Sequence, residues 1–120
     1  MKKLVETMFW IENQIQLCHW QEKSGYKHEI LGKFYEEIID QIDRFVESST
    51  GCLDEDILNC GEVLFKLINN YNLIELVDAI NTEFIKIREQ LVKLEIPELI
   101  NIVDEIQGIV KRNKYLLQKN

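Results

Sequence analysis

Proline and glycine are scarce, one and five in 120 residues, so little in the chain interrupts long helices. The strict alternation of half-buried strands is scarce too, which argues against a sheet protein. No apolar run approaches the roughly 20 residues needed to span a bilayer, so no membrane segment is expected. Basic residues are outnumbered, 14 Lys and Arg against 21 Asp and Glu, for a net charge of −7. That balance excludes a general nucleic-acid footprint and makes direct DNA binding unexpected. The tail residues Lys111, Arg112, Lys114 and Lys119 are the only basic cluster, read as a solvated helix end. Cysteine is limited to Cys18, Cys52 and Cys60. An odd count without CxxC spacing or a signal peptide points to a reducing, cytoplasmic setting. A glycine-rich phosphate loop and Ser-His-Asp or Cys-His arrangements are also lacking.

What is present is helical periodicity. Leu4, Met8, Ile11, Ile15 and Cys18 recur in steps of four and three, predicting a first helix over about 2–21. Cys18 falls on this stripe and reads as a small core hydrophobe. Trp10 and Leu17 lie off it, which suggests a second covered face. Ser24 is a suitable N-cap for a second helix over about 26–48, with Leu31, Phe34, Ile38, Ile42 and Phe45 inward. Glu36, Asp40, Asp43 and Glu47 form an acidic stripe on the same helix, which Ser48-Ser49-Thr50-Gly51 is expected to end. The next stretch, to about residue 72, reads as a crossover with one short helix around Leu53–Leu58 and a weakly strand-like Glu62–Ile68. Helices over about 73–94 and 97–117 follow, with Pro97 in the first turn of the last.

One domain over 1–120 is expected, all-α, with two antiparallel helical hairpins joined by a long crossover. A crossover of that length lets the second and third helices run parallel, the ferritin-like form of the four-helix bundle.

Both histidines, His19 and His28, flank the first tight turn and so belong at one end of the first hairpin. Asp43 and Glu47 are an i, i+4 pair facing one way. Imidazoles with carboxylates suit iron, manganese or zinc. His28 and Asp43 are 15 residues apart on one helix, about 22 Å at 1.5 Å per residue. Metal–ligand bonds near 2 Å cannot bridge that gap. A two-fold dimer with antiparallel second helices can, because it brings the histidine end of each chain to the acidic end of the other. A metal site here requires at least a homodimer.

His19-Trp20, a short polar loop, His28, Asp43 and Glu47 together resemble the Dps-like mini-ferritins. The resemblance covers about a quarter of the chain by motif and more by helix order. It implies an intersubunit ferroxidase site with His19 and His28 from one chain and Asp43 and Glu47 from its neighbour. It further implies Fe(II) as substrate, iron storage and oxidative protection, and dimers that can close into a dodecameric shell. Trp20 matches the tryptophan that packs beside the family's site. Gly32 departs from the pattern, standing where the family usually has an acid ligand, which implies weaker binding or one ion rather than two. Glu36 and Glu29 are the nearby substitutes. The alternatives are a ferritin-like dimer that binds or scaffolds without ferroxidase activity, and a zinc-stabilised dimer using the same four ligands.

Overall fold

The computed structural model describes residues 1 and 3–119. Lys2, placed in the first helix by periodicity, and Asn120 lie outside the described residues. The described residues form four helices: α1 (Leu4–Gln21), α2 (Gly25–Cys52), α3 (Leu73–Leu94) and α4 (Pro97–Gln118). There is no strand among the described residues.

Each boundary has a local cause. Ser24 Oγ accepts from Lys27 N–H at 3.4 Å to start α2, and Asn72 Oδ1 accepts from Glu75 N–H at 3.0 Å to start α3. Glu95 takes a left-handed conformation (φ 57°) to end α3, and Pro97 follows at the head of α4. The expected stop at 48–51 is overrun, and α2 continues to Cys52. The hydroxyls of Ser49 and Thr50 donate to Phe45 O and Glu47 O, so the polar side chains are satisfied by the helix instead of competing with it.

Cross-helix contacts fix the topology. His19 meets His28, which makes α1 and α2 antiparallel. Arg44–Glu105 and Arg112–Glu37 make α2 and α4 antiparallel. Arg88–Asp104 and Lys114–Asp78 do the same for α3 and α4. It follows that α2 and α3 run parallel. Around the bundle the order is α1, α2, α4, α3, with α3 returning to α1. One apolar core joins them, centred on Phe34, Phe45 and Phe84 with Ile11, Ile15, Leu91 and Ile106. Cys18 belongs to it at 3 % exposure, and burial pushes its thiol up from the ordinary range, so it is chemically quiet.

Residues 53–72 form no helix, and the short helix expected there is replaced by turns and extended chain. This crossover runs up the outside of α1. Gln14 holds it: the buried amide donates to Ile68 O at 2.9 Å and accepts from Ile68 N–H at 2.8 Å. Gln21 accepts from Asn70 N–H at 2.9 Å one turn-pair further on. No described helix is long and apolar enough to cross a membrane.

Candidate metal centre

The tight α1–α2 turn brings His19, in the last turn of α1, against His28, in the first turn of α2. Their rings stack with centroids 4.1 Å apart and planes at 23°. Each ring is tied to the other residue's backbone: His19 Nδ1–H donates to His28 O, and His28 Nδ1–H donates to His19 O, both at 2.8 Å. A carbonyl only accepts, so Nδ1 carries the proton in both rings, and in the neutral imidazole Nε2 keeps its lone pair. That is the tautomer a metal-binding histidine needs. The same bonds have a structural use, because the His19 carbonyl lies in the last turn of α1 and has no partner within that helix.

Gly32 is part of this arrangement. A Cβ at that position would lie 2.9 Å from His19 Cε1 and 3.4 Å from Nδ1 and Nε2. The missing side chain lets the His19 ring lie against the backbone of α2. Gly32, expected as the absence of an acid ligand, is thus also the seat of a histidine.

The acids stand at the far end of the hairpin. Asp43 and Glu47 are exposed, as are Glu36 and Glu29. Glu29 pairs with Lys33, whereas Asp43, Glu47 and Glu36 have no ion-pair partner among the described residues. No group of three or more metal-capable side chains comes together within the described chain. Trp20 was expected to pack beside the site; within one chain it is 69 % exposed.

Sequence reasoning missed Glu12. It lines an outer α1–α2 groove with Asp43, among Val5, Met8, Phe9 and Val46. Burial, and then the negative charge of Asp43, raise its carboxyl above the usual range. Only the i, i+7 step from Glu12 to His19 on α1 could have signalled a shared face. Between them on that face, Gln16 Oε1 is buried without a hydrogen-bond partner among the described residues.

Residues 19–117 match the family of unknown function DUF5856. The chain belongs to this family. Both histidines, Gly32, Asp43 and Glu47 lie inside the DUF5856 match, as do α2, α3 and α4 in nearly their full length. No curated protein and no solved structure matches the chain.

Proposed function

We propose that this DUF5856 protein binds Fe(II) as substrate between two copies of the chain and oxidises it, in the manner of the Dps-like mini-ferritins it resembles. The observation that carries the reading is the histidine pair, with both Nδ1 atoms committed to carbonyls and both Nε2 lone pairs left for a ligand. The helix order α1, α2, α4, α3, with α2 and α3 parallel, supports a ferritin-like bundle. In the dimer, His19 and His28 of one copy would face Asp43 and Glu47 of the other, with Glu12 beside Asp43 as a further carboxylate. The carboxylates favour the ferric product. Each Fe(II) yields one electron, so two are consumed for every peroxide that takes two protons and leaves as two waters.

The stacked geometry imposes a condition. Imidazole lone pairs lie in the ring plane, and planes at 23° cannot aim two of them at one nearby ion. A shared ion requires the rings to open, and otherwise each ring serves its own.

A second reading follows from the same bonds: the pair is a clasp that ends α1 and closes the hairpin, in a dimer without redox chemistry. His28→Asn separates the two. Its amide N–H can replace Nδ1–H toward the His19 carbonyl, while the Nε2 ligand is lost. The test is anaerobic Fe(II) titration followed by peroxide, on wild type, His28→Asn and Asp43→Ala. The iron reading predicts stoichiometric binding and oxidation faster than buffer for wild type, with affinity at least roughly 10-fold weaker in both variants. Equal behaviour of all three proteins supports the clasp. Zinc uptake that strengthens dimerisation without turnover supports the zinc-stabilised form.

A further inference from the structure

After a bend at Glu62 the crossover runs without turns over residues 63–67, beside α1 and between two fixed points. Gly61, with φ 66°, breaks the chain direction before it, and the Gln14–Ile68 pair of bonds anchors it after. Phe65 stacks on Phe9 of α1 with ring centroids 6.3 Å apart, and Val63 on the same side is half-buried. Glu62, Leu64 and Lys66 are exposed, Leu64 to 62 %, and Phe65 keeps 38 % of its own surface open. No backbone N–H or C=O of residues 62–67 is hydrogen-bonded within the described chain. An extended segment with vacant ladder groups and an apolar outer residue is a template for another strand.

Its sequence indicates which strand. When a segment pairs antiparallel with itself across a two-fold axis, the residues on opposite sides add to a constant. Centred on Leu64, Glu62 faces Lys66 of the partner subunit and Lys66 faces Glu62 of the partner subunit. Val63 then faces the partner's Phe65, and the two Leu64 side chains meet on the axis. Shifting the centre to Val63 or Phe65 loses both charge pairs, since Glu62 then faces Leu64 or Ile68. Opposite charges directly across a ladder stabilise it, and like charges oppose it. We propose that residues 62–66 pair with the same residues of a second copy, antiparallel and in register on Leu64, extending the crossover into a two-stranded ribbon over α1. This pairing uses no metal and does not rest on the iron reading.

Register is testable by cross-linking in EDTA, in a Cys52→Ser, Cys60→Ser background with buried Cys18 retained. Opposed residues on paired strands place their Cβ atoms about 4.5–5.5 Å apart, within the adjustment a disulfide allows. Leu64→Cys should give a covalent dimer under mild oxidation. Glu62→Cys mixed with Lys66→Cys should cross-link as a heterodimer, while either alone should not. In sedimentation, Glu62→Lys or Lys66→Glu should each weaken dimerisation by roughly 10-fold, and the double reversal in one chain should restore it. A Leu64→Cys protein that stays monomeric, or cross-linking without register preference, would overturn the proposal. Cross-linking retained in a protein that fails the iron titration leaves the strand pair standing without the ferroxidase reading, and the converse result does the reverse.

Discussion

The α4 side of the bundle and the α1–α2 side satisfy their charges differently. Among the described residues, every ion pair between helices has one member on α4: Glu105 and Arg112 reach α2, while Asp104 and Lys114 reach α3. That seam is complete within one chain. The α1–α2 side has no such pair. It carries the stacked histidines, the unpaired Asp43 and Glu47, the raised Glu12, and exposed Phe9 and Trp20, with crossover residues 62–67, whose backbone groups are unbonded within the described chain, alongside. Exposed apolar groups beside unpaired charges are expected of a surface that meets a partner. If two copies pair as proposed, the contrast puts their interface on the α1–α2 side.

The strongest way to break the contrast is to release the crossover. Gln14→Leu leaves the Ile68 N–H and C=O without their partner and should cost about 1–3 kcal/mol in urea denaturation, with faster amide exchange confined to the crossover and α1. Unchanged exchange there would show that Gln14 does not hold the segment. Next comes the histidine seat. In Gly32→Ala the new methyl must displace the His19 ring, so iron affinity should fall by roughly 10-fold, as for loss of a ligand-orienting bond. Stability should move by less than about 1 kcal/mol, because alanine's better helix propensity offsets the crowding. A variant with wild-type iron binding would remove Gly32 from the site.

Glu12 gives a smaller, pH-dependent effect. Burial and Asp43 raise its folded pKa, so the folded chain holds this proton more tightly than the unfolded one. Stability from this group is present below the unfolded pKa and lost as pH rises through the raised value. Glu12→Gln should therefore raise Tm at neutral pH and leave it unchanged well below the ordinary glutamate range. A Tm that falls at neutral pH would contradict this sign. Smallest of all is Arg88→Ala on the α4 side. Arg88 holds the Asp104 carboxyl below its usual range, so its contribution exists above the unfolded pKa and fades as pH falls through the lowered one. Both groups are half-exposed and screened, and thermal melts at neutral pH should barely separate variant from wild type.

Much of the bundle was legible because its signals are local. Periodic apolar residues, the Ser24 cap and Pro97 act within a turn of where they stand, and α3 begins and ends where its pattern does. The overrun of α2 was not legible, because Ser49 and Thr50 can either end a helix or donate back into it, and burial of Ser49 decides which. Gln14 lies at the edge of an apolar stripe and looks like a solvent residue until crossover chain 54 positions away lies over it. The two histidines were placed together by the short turn, yet their reciprocal bonds and the need for Gly32 depend on how closely α1 and α2 approach. Spacing along one chain does not encode that distance.

The central claim is that a site is completed by two chains, and subunit mixing tests it most directly. His28→Asn and Asp43→Ala are each prepared alone, then unfolded together, refolded and titrated with Fe(II) without oxygen. The account predicts that each variant alone binds poorly and that mixed dimers recover one of their two sites, since one chain supplies intact histidines and the other intact acids. Recovery in the mixture, absent from either parent, would establish a shared site. A mixture that binds no more iron than the average of its parents would contradict it.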